Sequence, residues 1–285
     1  MMTYFGEVDR ILREALREDI GTGDITTQAI FTYGEKVVGN YIAKEEGVVC
    51  GVDIAKRVFD LLEGEVKFEA FKADGDTVFA GDVIARVSGD AVCILQGERV
   101  GLNLMQRMSG IATQTARAVK KVEGTRAKII DTRKTAPGLR IFEKYAVGVG
   151  GGGNHRFNLS DGVLIKDNHI AACGSITEAV SRARKKTPHT VKIEVEVENL
   201  DQLREALECR VDIIMLDNMS DEMMAEAVRI VDGRAVCEAS GNMSERDLLS
   251  VANTGVDLIS IGALTHSVKA LDISLKFQLI EDRRK

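Results

Sequence analysis

The fold is decided by residues 191–218, which read VKIEVEVENLDQLREALECRVDIIMLDN. The stretch opens with a short apolar run at 191–197, continues with apolar residues at helical spacing over 200–207, and ends with a second apolar run at 213–216. A strand joined to the next strand through a helix is a βα unit, and such units build parallel sheets with right-handed crossovers. The stretch therefore predicts an α/β fold with a parallel sheet.

The same alternation continues on both sides of this stretch, from about residue 127 onward. Helical patterns at 176–184, 221–231 and 245–252 lie between further apolar runs. Six strands are fewer than a complete β/α barrel contains, so a smaller or incomplete barrel and a doubly wound sheet both stay open. The predicted strands are Lys128–Asp131, Val163–Ile165, Val191–Val197, Ile213–Leu216, Ala235–Cys237 and Leu258–Ile261.

The first hundred residues have a different pattern. Val8, Leu12 and Leu16 recur at helical spacing, and the loop residues Gly21–Asp24 end that helix. Short strand-like segments follow, separated by turn signals, and they predict an α+β layer. Residues 91–121 then predict a long helix that bends or breaks near Ser109–Gly110.

Composition and charge exclude several classes of function. The chain has 285 residues, 45% of them hydrophobic, and a formal net charge of -6, which argues against non-specific nucleic-acid binding. Its apolar runs are too short to span a bilayer, and residues 1–20 predict an amphipathic helix without the apolar core of a secretion signal. The cysteines are odd in number and widely spaced, which favours reduced thiols in a cytoplasmic protein. They are Cys50, Cys93, Cys173, Cys209 and Cys237.

Charged and small residues lie near or directly after the end of each of the six predicted strands. In parallel β/α folds, ligands bind at the carboxyl ends of the strands, so these residues are expected around one site. In chain order they are Asp131–Thr135, Lys166–His169, Glu194–Glu198, Asp217–Asn218, Glu238–Gly241 and Gly262–Ser267.

Basic residues form a cluster within one stretch of the chain. A guanidinium binds carboxylate or phosphate through two parallel hydrogen bonds, so the cluster favours a multiply anionic ligand. The four glycines at 150–153 let the backbone approach such a ligand closely. A solvated charged face is the alternative interpretation. The cluster consists of Arg133, Lys134, Arg140, His155, Arg156 and Lys166.

Acidic and small residues complete the predicted site. Glu196 and Asp217 can hold Mg²⁺ on phosphate oxygens or balance positive charge on a sugar, and ion pairs with the lysines are the alternative. Ser240–Gly241 and Gly262 stand at strand-to-helix turns, where backbone N–H groups bind phosphate. Together these residues predict an enzyme with phosphorylated, anionic substrates.

One motif, DTRKTAPGLR, occupies residues 131–140. Further motifs lie at 18–27, 96–113, 144–147, 150–156, 164–170, 194–200, 216–219, 238–241 and 262–267. Through these motifs the chain resembles, over nearly its whole length, the quinolinate phosphoribosyltransferase family (nicotinate-nucleotide pyrophosphorylase, carboxylating).

This resemblance implies two domains. An N-terminal α/β sandwich is expected over residues 1–110, and an incomplete, six- to seven-stranded β/α barrel over 111–267. A C-terminal helix over about 268–285 is expected to pack back on the first domain. In the family, the N-terminal domain of one subunit caps the barrel of another, so a homodimer with a shared active site, or a higher oligomer, is expected.

The implied reaction joins quinolinate to phosphoribosyl pyrophosphate, releases pyrophosphate and CO₂, and gives nicotinate mononucleotide in de novo NAD biosynthesis. Mg²⁺ is the implied cofactor. By their motif positions, Lys134, Glu196 and Asp217 are expected to be catalytic, and the two carboxylates are expected to bind the metal. Arg99 is expected to reach the substrate from the neighbouring subunit. The full implied substrate-binding set is Arg99, Arg133, His155, Arg156, Lys166, Ser240, Gly241, Gly262 and His266.

Two positions depart from the family pattern. Asn242 replaces a second glycine after Ser240–Gly241, and the phosphate turn is expected to survive because Asn tolerates left-handed backbone angles. Gly148 replaces a larger residue, which is expected to loosen the loop before Gly150. Neither Gly148 nor the isolated His169 and His189 receives a role.

Three other functions stay open. A related phosphoribosyltransferase acting on another anionic acceptor would share most of the site. A lyase would use Lys134 or Lys166 as a Schiff-base nucleophile. A non-catalytic sensor of phosphorylated ligands is the third, although Glu196 and Asp217 are both present.

Overall fold

The computed structural model describes residues 5–32 and 34–278. The helices are α1 (Phe5–Ile20), α2 (Ile25–Ile30), α3 (Val52–Asp60), α4 (Ala91–Lys121), α5 (Arg140–Val149), α6 (Asp167–Cys173), α7 (Ile176–Lys186), α8 (Leu200–Glu208), α9 (Asp221–Val231), α10 (Leu248–Asn253) and α11 (Ala263–His266). The strands are β1 (Lys36–Ala43), β2 (Gly47–Val48), β3 (Val66–Ala70), β4 (Thr77–Val78), β5 (Val83–Asp90), β6 (Lys128–Ile130), β7 (Val163–Ile165), β8 (Ile193–Val197), β9 (Ile213–Asp217), β10 (Val236–Ser240), β11 (Leu258–Ser260) and β12 (Ile273–Gln278).

The chain divides into two compact units. The first extends to Gln114 and also contains Pro137–Gly150 and the described residues from Val268 onward. The second comprises Thr115–Ala136 and Gly151–Ser267.

Residues 137–150 lie in the first unit, although the expected boundary assigned them to the barrel. The contacts of α5 explain this placement. Its Glu143 is buried and accepts hydrogen bonds from Arg107 of α4, the shorter at 2.6 Å. Its Tyr145 hydroxyl donates to Asp74 Oδ2 at 2.9 Å.

The first unit is built on a four-stranded antiparallel sheet in the order β12-β1-β5-β3. Its core combines side chains of the sheet with those of α3 and α4, including Tyr41, Phe59, Ile84, Ile94 and Met105. The predicted apolar positions of α1 are buried, as helical periodicity requires.

The predicted C-terminal helix over 268–285 is wrong for the part that the structure describes. Residues 273–278 form β12, which pairs antiparallel with β1, with Ile273 opposite Ala43. The physical reason is a side-chain period of two: Ile273 and Leu275 are buried, whereas Lys276 is exposed. Residues 279–285 lie outside the described residues.

The predicted break near Ser109–Gly110 is also wrong, because α4 is one continuous helix of 31 residues. Gly110 instead permits a close approach of the backbone within the first unit. A Cβ there would lie 2.2 Å from the carbonyl oxygen of Lys269. Ser109 Oγ is satisfied by Cys50, whose N–H donates to it at 2.9 Å.

The second unit contains a six-stranded parallel sheet in the order β6-β11-β10-β9-β8-β7. The last strand therefore pairs with the first, and every other neighbour is consecutive in the chain. This cyclic order is that of a β/α barrel with one gap, between β6 and β7, and it excludes a doubly wound sheet. Gly153 forms a single parallel bridge with Ile130 at that gap.

Local capping sets the start of four of the barrel helices. Ser175, Asn199, Ser220 and Asp247 each accept backbone N–H bonds at the beginning of α7, α8, α9 and α10.

All five cysteines are free. Across residues 5–32 and 34–278, every helix is too short or too polar to cross a membrane.

Candidate active site

A single cavity of about 530 Å³ opens at the carboxyl ends of the barrel strands, within the second unit. Because the strands are parallel, residues that are distant in the chain meet there. Nine of the twelve predicted site residues line it. They are Arg133, Lys134, His155, Arg156, Lys166, Glu196, Asp217, Ser240 and Gly241. We call this cavity the bowl.

The remaining three predicted residues lie elsewhere. Gly262 follows β11 beside the bowl, since a Cβ on it would lie 2.9 Å from Lys134 Cδ and 3.1 Å from the His266 ring. His266 is exposed, and its Nδ1 is 2.7 Å from Ser267 Oγ. Arg99 is an exposed residue of α4 in the first unit. The chemical roles of all twelve residues stay predictions.

Two guanidinium groups share one wall of the bowl. Burial, followed by the positive charge of Arg133, lowers the pKa of Arg156. Arg156 is anchored by a hydrogen bond from Nη1 to the carbonyl of Gly162 at 2.9 Å. Its Nε is buried and has no hydrogen-bond partner among the described residues. An anion placed between the two guanidinium groups would relieve their repulsion.

Opposite charges meet at the ends of β7 and β8. Lys166 Nζ donates to Glu196 Oε2 at 2.6 Å. On the next strand, Asp217 Oδ2 accepts from the side-chain amide of Asn218 at 2.7 Å. Both carboxylates face the bowl, so they can balance a positive charge that develops there.

The turn after β10 has a backbone that only a few residue types adopt. Gly241 has φ +92°, and a Cβ on it would lie 2.2 Å from Asn218 Oδ1. Asn242 follows with φ +50°, so the expectation that Asn tolerates the left-handed conformation is confirmed. Thr265 Oγ1 donates to the carbonyl of Lys134 at 2.8 Å and ties the neighbouring loops of β11 and β6 together.

Comparisons with known proteins identify the family. The family model for the N-terminal domain of quinolinate phosphoribosyl transferase matches residues 24–109, and the model for the C-terminal domain matches residues 111–276. The chain belongs to the quinolinate phosphoribosyltransferase family.

Similar members of the family come from distant organisms. A probable nicotinate-nucleotide pyrophosphorylase (carboxylating) of Bacillus subtilis (strain 168) is 49% identical over 96% of this chain and 94% of its own. One from Methanocaldococcus jannaschii is 46% identical over 93% of this chain and 95% of its own. The solved nicotinate-nucleotide pyrophosphorylase of Francisella tularensis superposes with a TM-score of 0.91 at 43% identity, covering 95% of this chain and 96% of that one.

The second departure from the family pattern leaves α5 intact. Gly148 lies within this helix, which runs on to Val149, and a Cβ on it would meet no atom within 4 Å. The segment before Gly150 is therefore helical where a looser loop was expected.

His169 has a structural role, because its Nδ1 accepts the N–H of Lys166 at 3.0 Å in the first turn of α6. His189 is exposed.

Sequence reasoning named His155, Glu194 and Glu238 near the expected site but did not predict that they form a buried cluster on the floor of the bowl. His155 Nε2 lies 3.3 Å from Glu194 Oε2 and 3.8 Å from Glu238 Oε1. Both glutamates are nearly inaccessible, with 5% and 1% of their surface exposed. Burial and then the negative charge of Glu194 raise the pKa of Glu238 to about 8. We call these three residues the floor cluster.

A signal for the floor cluster was present but was assigned to the wrong structure. The fifth strand was expected to end at Cys237, which placed Glu238 in a loop, whereas β10 continues to Ser240. Glu238 is therefore an acidic residue inside a strand of a barrel. Such a residue is tolerated only where the interior is polar, and this could have indicated its position.

The orientation of His155 is set by its neighbours in the chain. The buried Asp131 accepts the N–H of His155 at 2.8 Å and the side-chain amide of Asn154 at 2.9 Å. The N–H of Arg156 donates to His155 Nδ1 at 2.7 Å. Because Nδ1 is an acceptor, a neutral imidazole carries its hydrogen on Nε2, which faces Glu194.

Proposed function

We propose that the protein catalyses the transfer of a phosphoribosyl group to quinolinate. Phosphoribosyl pyrophosphate is the donor, and the products are nicotinate mononucleotide, pyrophosphate and CO₂. The observation that carries this proposal is the convergence of Arg133, Arg156 and Lys166 with Glu196 and Asp217 in one bowl. A dicarboxylate and a sugar diphosphate need these opposite charges on different walls of one site.

The residues of the bowl act by binding and by electrostatics. Arg133, Arg156 and Lys166 hold the two carboxylates of quinolinate, which orients the ring nitrogen toward the sugar. When pyrophosphate leaves, positive charge develops on the ribose, and the carboxylates of Glu196 and Asp217 stabilise it. Ser240 and Gly241 bind the 5-phosphate through the backbone of their turn. This reaction requires no nucleophilic side chain.

Magnesium is part of the proposal. Carboxylate oxygens are the ligands that Mg²⁺ prefers, and Glu196 and Asp217 present them to the same bowl, so the residues fit this ion. Bound there with the pyrophosphate, Mg²⁺ would neutralise negative charge on the leaving group.

A homodimer, or a larger assembly of such dimers, is the proposed state, and a cytoplasmic location goes with it. The motif position of Arg99 suggests that it completes the site of a neighbouring copy. The exposure of its side chain on α4 supports this role, because an exposed guanidinium can contact a second chain.

The Schiff-base alternative is disfavoured for Lys166. Its Nζ already donates a hydrogen bond to Glu196 Oε2 at 2.6 Å, so this nitrogen is held by a carboxylate and is not free to attack a carbonyl group.

The proposal is tested by mixing the purified protein with quinolinate, phosphoribosyl pyrophosphate and Mg²⁺. Nicotinate mononucleotide and pyrophosphate are then measured by chromatography, with nicotinate as the matched acceptor that lacks one carboxylate. Product from quinolinate and at least 100-fold less from nicotinate is expected, because an unpaired cationic pocket discriminates strongly. Equal use of both acceptors would favour the related phosphoribosyltransferase, and no product from either would refute the assignment.

A further inference from the structure

The floor cluster lies between two cavities of the second unit. The bowl is on one side. On the other, a rear cavity of about 480 Å³ is lined by Val163, Lys192 and Ile213, at or beside the amino-terminal ends of strands. His155 and Glu238 line both cavities. The floor is therefore bordered by a cavity on the rear side as well as by the bowl.

The floor cluster holds two carboxylates with incomplete hydrogen bonding. Oε1 of Glu194 and Oε1 of Glu238 are buried, and neither has a hydrogen-bond partner among the residues that the structure describes. One ligand atom from each of His155, Glu194 and Glu238 can be chosen so that all three lie within 4.8 Å of one another. Two carboxylates so close in a dry interior cannot both stay charged, so they must share a proton or bind a cation.

The geometry favours a proton over a cation. Nδ1 of His155 is occupied by the N–H of Arg156, so the nitrogen that faces the carboxylates carries a hydrogen and cannot bind a metal. Lys166 also acts on Glu238 as a positive charge. A second cation beside it would be repelled.

We propose that the carboxyl group of Glu238 donates the proton that replaces the lost carboxylate on the pyridine ring. This inference rests on the proposed function, since it concerns the decarboxylation step of that reaction. The cationic side chains proposed to hold quinolinate line the same bowl as Glu238, so quinolinate bound there lies in the cavity that Glu238 borders.

The step balances in atoms and electrons. The bond between the ring carbon and its carboxylate breaks in the same step in which that carbon is protonated, so CO₂ leaves while the bonding pair stays with the ring carbon beside the positively charged ring nitrogen. That pair takes the proton of the Glu238 O–H and forms a C–H bond, which leaves Glu238 as a carboxylate. A proton from solvent restores the carboxyl group before the next turnover.

The charged neighbours of Glu238 determine how the step depends on pH. Burial and the carboxylate of Glu194 raise its pKa, whereas His155, the Ser260 hydroxyl and Lys166 act in the opposite direction. The net effect is a raised pKa, so the donor is protonated near neutral pH and loses its proton in mild alkali. Net CO₂ release should therefore slow as the pH rises, while ribosyl transfer need not follow.

The test separates the two chemical steps in single turnovers of the wild-type protein and of Glu238→Gln, which keeps the shape but has no acidic proton. Quinolinate labelled with ¹⁴C in the carboxylate next to the ring nitrogen is used, and pyrophosphate and ¹⁴CO₂ are quantified after quenching. The matched control is Glu208→Gln, because Glu208 is exposed at the end of α8 and lines neither of the two cavities.

We expect Glu238→Gln to form pyrophosphate within about threefold of the wild-type rate and to release ¹⁴CO₂ about 100-fold more slowly, the size of a typical general-acid contribution. The rate of CO₂ release by this variant should also no longer decrease at alkaline pH. Equal loss of both steps would show a structural role, and unchanged CO₂ release would show that water is the donor. Metal that is bound stoichiometrically by the wild type and lost from the variant would show a cation site. Each of these three results overturns the inference. A wild-type protein that forms no pyrophosphate would instead refute the proposed function.

Discussion

Lys166 Nζ lies 2.6 Å from Glu196 Oε2, and this contact joins the residue after β7 to the bowl-facing side of β8. The carboxylate is largely buried, whereas the lysine side chain is 45% exposed. The pair therefore places a half-exposed cation at the edge of the bowl beside a largely buried anion. An incoming dicarboxylate can recruit the lysine and leave Glu196 to face the sugar.

Replacing Lys166 by Met should lower kcat/KM for quinolinate by about 10- to 100-fold, since a hydrogen bond to a charged group contributes about 1.5–3 kcal/mol. Most of the loss should appear in KM for quinolinate. Lys185→Met, at an exposed position of α7, is the matched control. Steady-state kinetics with each substrate varied in turn would check this, and an unchanged KM would contradict it.

Arg133→Ala should greatly weaken the use of quinolinate, by about 100-fold or more in kcat/KM, because a bidentate guanidinium contact is lost from the anion site. The melting temperature should stay close to that of the wild type. Arg182→Ala, which removes an exposed arginine of α7, should change neither quantity. Wild-type kinetics in Arg133→Ala would remove this arginine from the site.

Gly241→Ala should raise KM for phosphoribosyl pyrophosphate by about 10-fold or more, because its Cβ would meet Asn218 Oδ1 at 2.2 Å and displace the turn. Gly174→Ala is a sharp control, since Gly174 has φ +93° but no atom within 4 Å of its Cβ position. Both variants carry the same backbone strain, and only Gly241→Ala adds the clash. Equal effects on this KM would show that the turn does not bind the phosphate.

Mixed dimers should reveal whether Arg99 acts across subunits. Arg99→Ala and Arg133→Ala should each be nearly inactive alone. When the two variants are co-expressed with different tags, about a quarter of the wild-type activity should return, because half of the dimers are mixed and one of their two sites is intact. Purified mixed dimers without activity would place Arg99 in the site of its own subunit, and wild-type activity of Arg99→Ala alone would place it outside any site.

Stability should depend on pH through Glu238. Its pKa is 4.5 as a reference and about 8 in the fold, so folding takes up a proton between these values. The corresponding stabilisation is fully present below about pH 4.5 and is lost as the pH rises through about 8. Glu238→Gln removes this dependence. The melting temperature of this variant, relative to that of the wild type, should therefore increase from pH 5 to pH 9. A difference in melting temperature that stays constant from pH 5 to pH 9 would contradict the raised pKa.

Local periodicity was sufficient for much of the fold. The alternation of apolar runs and helical patterns located all six barrel strands to within a few residues, because buried strands and amphipathic helices each impose their own spacing on a sequence. The same reasoning failed at β12. A strand of six residues at the edge of a sheet carries a weak signal, and its pairing partner β1 lies more than 200 residues away.

The candidate site was likewise predictable from the sequence only in part. Motifs and strand-end positions identified the residues that line the bowl, since parallel strands present their carboxyl ends together. They did not identify the floor cluster. Its chemistry depends on the burial of Glu238 and on its separation from Glu194 and His155, and these distances are not encoded in any local pattern.

For this protein, then, the order of apolar and charged residues by itself determined a parallel βα fold and the cationic and acidic groups at the carboxyl ends of its strands. Only the tertiary structure decided that the barrel is open between β6 and β7, that β12 completes the sheet of the first unit, and that Glu238 lies beside a second carboxylate. The physical reason is the separation along the chain of the residues that interact. Secondary structure follows from neighbours in the chain, whereas a shifted pKa and strand pairing at an edge depend on atoms that folding brings together.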